Sequence, residues 1–441
     1  MICLNAMLVA KTITIAAGQD VGNYYKIALK IKKKLPNYNV KILKTAGTVE
    51  NMMLLSEKKA DIALAQEDAK ELTNTMFAKE NKTVDDFANT IGALYKEKLH
   101  IIVHKNSKYK QISDLNNAVV STGGKSSGTS VTAAYIESSH GINFRKIIDK
   151  PIKNSLEMLK RKQLDAVFVV TKSPFNVLNS YKNIRLLPID NDKISNNFLK
   201  KDLLRKNKYT FLKKDIQAVS VNSFIMTHKS LKDKKVIAVL KELSTPIKLK
   251  QKKHRTSNQL IYVDKKILVK FSARYGYRGL VRYELYTQMV EQAQKEKTVK
   301  QFDMVNKFFN RINFMEDSVV WKKEDHWATP LQVLGTSAAD SEDYALAKYF
   351  TLVKLGVDEN RLKLVQYENG NKKENIVLLY YFKNKPMPIV LEHQKNKMYV
   401  LKSNTQIKEV TRIDKKSPWI EVFVINNEDI LKDLNRVLET H

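Results

Sequence analysis

Cysteine is almost missing from this sequence: the one thiol, Cys3, sits in a short apolar start, residues 1–10. Past that start neither a disulfide framework nor a cysteine-ligated metal site can be built. A thiol-free body suits an oxidising compartment without requiring one. No stretch of eighteen consecutive apolar residues occurs, so the sequence contains no complete membrane-spanning helix. Zinc-finger, RRM and recognition-helix signatures are absent as well. Acidic residues are outnumbered 46 to 77 by basic ones, a formal charge of +31. Such a surplus raises nucleic acid or an anionic membrane surface as a partner. The basic residues are scattered, however, in short clusters: Lys32 to Lys34, Lys160 to Lys162, and Lys250, Lys252, Lys253 and Arg255. We expect no nucleic-acid partner. The charge reads as solvated basic faces, or as a general field that draws in anionic ligands.

The chain has 441 residues, 43% hydrophobic and 28% charged, an ordinary globular composition with room for two or three domains. The opening MICLNAMLVA has the form of the end of a signal-peptide apolar region closing on a small residue. Residues 1–10 are therefore expected to be a residual, truncated signal segment, and the protein to be exported to the periplasm.

From there the pattern alternates between strand and helix. Strands are expected at Thr12 to Ala16, Val40 to Leu43 and Ile62 to Ala65, with helices from Tyr24 to Lys34 and Asn51 to Glu57 between them. This rhythm predicts a parallel sheet with right-handed crossovers. It resumes with strands at Leu99 to Val103, Ala118 to Ser121, Ala166 to Val169, Ile184 to Leu187 and Val219 to Met226. Helices fall at Thr129 to Glu137, Ser155 to Arg161 and Lys232 to Leu243. Residues 246–264 carry Pro246, several lysines and little periodicity, and read as a linker. After it, helical patterns run from Leu268 to Phe309, and a helix from Ser341 to Leu355 is stopped by Gly356. Strands are then expected at Leu362 to Tyr367, Ile376 to Phe382, Ile389 to Glu392, Met398 to Leu401 and Trp419 to Ile425, an α+β order.

Three strand-to-helix turns in the first half could receive an anion: Gly18 to Asn23, Thr45 to Asn51, and Ser126 to Thr129. Each puts backbone N–H groups at a helix N-terminus. One such turn is usually only a cap. Three at the carboxyl ends of strands define the crevice where α/β sheets bind ligands.

The stretch ITIAAGQDVGNYYKIALKIKKKLPNYNVKILKTAGTVENMMLLSEKKADIALAQEDA resembles the start of the TAXI-type solute-binding receptors of TRAP transporters. Ala93-Leu94-Tyr95, Ser113-Asp114-Leu115, Ser126-Ser127-Gly128-Thr129 and Leu164-Asp165-Ala166 extend the match over residues 11–245. The resemblance implies an α/β, type II periplasmic-binding-protein fold: two lobes around a cleft. It implies a small anionic ligand, an amino acid or a dicarboxylate. By position Tyr24, Asn51, Gln66, Ser126, Ser127, Thr129 and Ser173 would bind it. The sequence departs from the family at Asp20, acidic beside the first turn, and at Thr171-Lys172-Ser173-Pro174. There Lys172 is either a partner for a carboxylate or a solvated lysine.

In the second half, Asp325-His326-Trp327-Ala328-Thr329-Pro330 is followed by Asp340-Ser341-Glu342-Asp343-Tyr344-Ala345. With Val305 to Asn310 upstream, this resembles the bacterial transglutaminase-like cysteine peptidases of the LapG type, papain-like α+β domains, over residues 265–428 of an expected domain 265–441. Such a peptidase needs a thiolate, a histidine base and an orienting carboxylate. The resemblance sets Ser341, Asn375 and Glu392 at those three positions. An amide cannot accept a proton, and a serine without a base is not activated. No catalytic residues are therefore expected, and the domain reads as a pseudo-peptidase. His393 could replace the base only if it faced the same side as its neighbour Glu392, which a strand forbids. The family's acids beside the nucleophile bind calcium, which would fall to Asp340 and Glu342. As plain residues they also read as caps satisfying a helix dipole. Trp327, Tyr344 and Tyr349 are expected in the core.

Together these features predict an extracytoplasmic receptor fused to an inactive peptidase-like module with a docking or regulatory role. Its partners would be transporter membrane subunits, a membrane receptor or an adhesin. A plain transporter subunit and an active peptidase using Ser341 are the alternatives.

Overall fold

The computed structural model describes residues 10–20, 22–77, 83–194, 197–246, 265–368, 374–383, 385–393, 395–401 and 407–409. They fall into two compact units: one from residues up to 136 with 144–252, the other from 137–143 with 253 onward. The expected signal segment, linker and Trp419 to Ile425 strand lie outside the described residues, apart from Ala10 and Pro246.

The first unit opens β1 (Thr12–Ala16), α1 (Asn23–Lys34), β2 (Asn39–Leu43), α2 (Thr48–Ser56), β3 (Ile62–Gln66). β1 pairs in parallel with both β2 and β3, as the alternating rhythm predicts. In α1 the residues Tyr24, Ile27, Ala28 and Ile31 recur at helical spacing and pack into one core with Ile13 and Ile15. β3, IALAQ, is buried on both faces, which is why it reads as an unbroken apolar run. Two elements were not legible: α3 (Glu67–Phe77), which follows β3 with no turn residue between, and the short α4 (Val84–Phe87).

Next come β4 (Ala88–His104), β5 (Val119–Ser121), α5 (Gly128–His140), β6 (Lys146–Ile147), α6 (Ile152–Lys160) and β7 (Ala166–Lys172). β8 (Ile184–Leu186), β9 (Lys200–Leu204), β10 (Ile216–His228) and α7 (Lys234–Glu242) complete the unit. The sheet order is β2-β1-β3-β10-β4-β7-β5-β6, with β8 on β4 and β9 on β10. It is mixed rather than parallel throughout. β10 runs antiparallel to β3 and β4, and β4 antiparallel to β7. β4 is much longer than the expected Leu99 to Val103, because only that half of it is continuously buried. β10 pairs with β3 of one parallel group, β4 with β7 of the other, and the two pair with each other, so together they join two α/β lobes. One lobe's core gathers Ile15, Ile31 and Leu64; the other's gathers Leu156, Val167 and Leu178. This is the periplasmic-binding-protein architecture.

In the second unit the helical patterns expected from Leu268 to Phe309 are the helices α8 (Lys265–Ala293) and α9 (Thr298–Phe309). α8 bends at Gly276, whose φ of +63° breaks the helix. β11 (Asn313–Phe314), α10 (Asp317–Val320), α11 (Pro330–Thr336) and β12 (Ala338–Ala339) lead to α12 (Ser341–Lys354). α12 is buried on most of its surface, including Tyr344 and Tyr349, and ends at Gly356 with φ +86°. β13 (Leu362–Glu368), β14 (Glu374–Tyr380), β15 (Ile389–Leu391), β16 (Tyr399–Val400) and β17 (Ile407–Glu409) form an antiparallel sheet, ordered β16-β15-β14-β13-β17. The helices precede the sheet, as expected of an α+β domain.

Candidate functional site

Between the lobes of the first unit lies a cavity of about 130 Å³. Its wall includes the first residues of three helices: Gly22 and Asn23 of the α1 entry, Gly47 and Thr48 at α2, Ser127 and Gly128 at α5. Unpaired backbone N–H groups at such ends favour an anion. Gly47 is required here twice over. Its φ is +140°, and a Cβ would lie 3.1 Å from the Ser127 Cα.

Of the seven residues expected to bind ligand, Tyr24, Gln66, Ser127 and Thr129 lie in the wall. Their polar atoms are already organised. The Tyr24 hydroxyl donates to Glu97 Oε2 at 2.8 Å. Gln66 Nε2 donates to Asp68 Oδ1 at 2.6 Å and to Thr132 Oγ1 at 2.7 Å, and Thr132 donates to Asp68 Oδ2 at 2.6 Å. Ser127 Oγ accepts from the Ser130 N–H and so caps α5. Thr129 Oγ1 accepts from the Val170 N–H at 3.0 Å.

The structure does not put Asn51, Ser126 or Ser173 in that wall. Asn51 is fully buried behind it, accepting from Thr45 Oγ1 and donating to the Leu64 carbonyl. Those bonds tie α2 to β3, a role its side chain shares with any well-satisfied buried amide. Ser126 offers its carbonyl to the Val49 N–H, and Ser173 pairs with the Tyr209 hydroxyl. Lys172 is also outside it; the exposed ammonium lies 5.4 Å over the Tyr95 ring.

Sequence reasoning missed Glu97, the charged side chain of the wall, which is only 4% exposed. Burial pushes its carboxyl up to about 8. The charge of Asp68, itself raised to about 6 by burial, adds to the effect. Glu97 is a lone acid in the run Leu94 to Ile102, and no local pattern of the sequence sets it apart.

A second constellation surrounds the N-terminus of α12. Asp340 is its N-cap, Ser341 its first residue, and Glu342 and Asp343 complete the first turn. Oxygens of Asp317, Asp340 and Asp343, all buried, lie within 4.8 Å of one another; Asp317, Asp325 and Glu342 make a second such group. Asp317, at the start of α10, and Asp325 had not been singled out as ligands from the sequence. Asp317 accepts from the His326 N–H and Asp343 from the Ala328 N–H. Asp340 Oδ1 is buried with no hydrogen-bond partner. Burial and then the neighbouring carboxylates push Asp340 up to about 9. Asp343 is raised to about 8, chiefly by burial, with Asp317 and Glu342 adding to it. Converging hard oxygens that repel one another, one of them orphaned, fit a hard cation such as calcium.

Ser341 Oγ donates to Glu342 Oε2 at 2.9 Å and accepts from the Ile376 N–H at 3.3 Å. The second bond sets the start of β14, and so Asn375 beside Ile376, against the start of α12. Asn375 and Glu392 are both buried. Glu392 Oε2 accepts from Tyr399 at 2.6 Å and faces Lys395 Nζ at 3.2 Å. β15 ends at Leu391, so Glu392 and His393 follow the strand instead of lying within it. The His393 ring is stacked between Phe314 and Tyr344, with centroids 5.2 Å from each. Burial lowers it to about 4, and its Nδ1 has no hydrogen-bond partner. Among the described residues no histidine is hydrogen-bonded to Ser341.

Residues 15–265 match the model of the NMT1-like family, and residues 281–422 that of the bacterial transglutaminase-like cysteine proteinase BTLCP. Calcium-bound LapG of Legionella pneumophila is 26% identical over 30% of this chain and 74% of that one, with a TM-score of 0.27. The substrate-binding protein of an amino acid ABC transporter is 15% identical over 53% and 91%, with a TM-score of 0.34. The arginine-bound form of truncated ArgBP from T. maritima is 11% identical over 53% and 94%, with a TM-score of 0.34.

Proposed function

This chain belongs to the NMT1-like family and carries a bacterial transglutaminase-like cysteine proteinase domain behind its binding-protein domain, and from that we propose that it is an exported, periplasmic receptor for a small carboxylate metabolite whose second domain is catalytically silent. The observation that carries the receptor reading is the meeting of three helix starts on one cavity between two lobes. Their N–H groups are a preorganised cradle for a carboxylate. Tyr24, Gln66, Ser127 and Thr129 shape that cradle. TAXI-type specificity and the amino acid or dicarboxylate class belong to the same proposal.

In the second domain, Asp317, Asp340 and Asp343, with Glu342 and Asp325 beside them, would hold calcium. The ion would offset the repulsion among carboxylates and so fix the start of α12. It would supply no nucleophile. Ser341 lacks a base: Asn375 is an amide, and His393 is stacked away in an aromatic slot. Among the described residues the Ser341 hydroxyl donates to Glu342, and a carboxylate engaged with a cation is a poor base. The domain is then free to act as a docking module toward transporter subunits, a membrane receptor or an adhesin.

Thermal unfolding against a panel of metabolites tests the receptor. A ligand that binds only the native state stabilises it by mass action. We expect carboxylates to raise the transition of the first domain. A panel in which only compounds without a carboxylate do so would overturn the reading.

A further inference from the structure

Resting on that receptor reading, we propose that the cleft selects an α-amino acid with an uncharged side chain: Glu97 takes the ammonium group, the helix starts take the carboxylate, and dicarboxylates are rejected. The charge inventory of the wall drives this. No lysine or arginine is among the lining residues, and Glu97 is the charged one. Lys172 stands directly across the β4–β7 ladder from Glu97, outside the wall, and its ammonium rests on the Tyr95 ring. A dicarboxylate would bring a second negative charge to a wall that has no basic side chain to offset its burial. The helix starts carry only partial positive charge, enough for one carboxylate.

Glu97 is also shaped to receive a donor. It is 4% exposed, and its recorded hydrogen bond is from Tyr24 to Oε2. Oε1 has none, although the residue belongs to the cavity wall. A buried carboxyl in a cavity wall needs a further donor in order to ionise, and an ammonium group supplies it with charge assistance. Asp68, close enough to raise Glu97, adds negative potential behind it. The Gln66 amide and the Thr132 hydroxyl already occupy Asp68, so Glu97 is left to meet the ligand.

The neutral-side-chain requirement follows from the same inventory. A second carboxylate on the ligand would find no basic side chain in the wall. A second ammonium would find no second acid there, since Asp68 does not line the cavity.

Calorimetric titration of the full chain decides the matter. The titrants are L-alanine, L-leucine, L-phenylalanine and L-glutamine, each paired with its des-amino acid, together with succinate and L-glutamate. We expect at least one of the four to bind, with its des-amino acid and succinate thirtyfold weaker or more. Glu97→Gln should abolish that preference by weakening the amino acid, and a far-UV circular dichroism spectrum matching the parent's shows that the variant is folded. Succinate or a des-amino acid binding as tightly as the best amino acid would overturn the proposal and leave the carboxylate receptor standing. The same holds if Glu97→Gln keeps the preference. Binding by none of these carboxylates would overturn both.

Discussion

Replacing Asp340 with asparagine should have opposite effects depending on calcium. The side chain is the N-cap of α12 and is 6% exposed, and its Oδ1 has no partner. Its oxygens share a space of 4.8 Å with those of Asp317 and Asp343. Two unit charges at that spacing repel by about 3 kcal/mol at an effective dielectric constant near 20. Without calcium, part of that cost is avoided by holding a proton, which the raised carboxyls of Asp340 and Asp343 reflect. Asp340→Asn removes one charge and keeps the side chain's shape, and the parent side chain makes no capping hydrogen bond that could be lost. It should therefore stabilise the chelator-treated protein by about 1–3 kcal/mol. Calcium at a hundred times its dissociation constant should stabilise the unsubstituted protein by about 2.7 kcal/mol and the variant hardly at all. The assay is urea unfolding of the full chain in EGTA and in excess calcium, reading the transition of the second domain. A variant less stable than the parent in EGTA, with an intact calcium response, would refute the electrostatic reasoning. A parent indifferent to both reagents would show that these acids only cap a helix.

The other expectations follow from single residues. Glu97 holds its proton to about 8 when folded, against about 4.3 for an ordinary glutamate, so the folded state binds more protons than the unfolded one between those values. Stability of the first domain should fall as pH rises through that window, by up to about 1.4 kcal/mol per unit, and Glu97→Gln should flatten the loss. A slope unchanged in the variant would contradict it. Thr129→Val removes the hydroxyl that accepts the Val170 N–H and should cost about 1 kcal/mol in thermal unfolding as well as weakening carboxylate binding. Ser341→Cys should show no peptidase activity on an adhesin-type substrate, with or without calcium, because the base is still missing. Restoring Ser341→Cys, Asn375→His and Glu392→Asp together is the change that could return some, since such groups act as a unit.

Most of the first domain was legible because its strands are continuously buried and its helices amphipathic. Ile62–Gln66 and Asn23–Lys34 carry period and apolar run together. β4 was half-seen because a strand that crosses between lobes changes its surroundings along its length. The α3 start was hidden because Glu67 and Asp68 follow β3 directly, with no punctuating glycine. Positions matched to the solute-binding receptors gave Tyr24, Gln66, Ser127 and Thr129, of which Ser127 and Thr129 also lie in a strand-to-helix turn. They also gave Asn51, because sequence spacing cannot tell a side chain that faces the cleft from one a turn further in that ties α2 to β3. Glu97 and Asp317 escaped for one reason: an isolated acid has no local pattern, and only the fold shows what it is buried beside. Asp340, Glu342 and Asp343 were readable as a cluster, whereas Asp317, which joins them from 23 residues upstream of Asp340, was not.

The central claim is that the cleft between the lobes holds a small carboxylate. Native mass spectrometry of the full chain, purified without dialysis from an exporting host, measures that directly. The account predicts a one-to-one adduct of a small metabolite, released on unfolding and identified as a carboxylate, and lost from Thr129→Val. An adduct without a carboxylate, or one retained at full occupancy by a variant with Gly47→Val and Thr129→Val together, would contradict it.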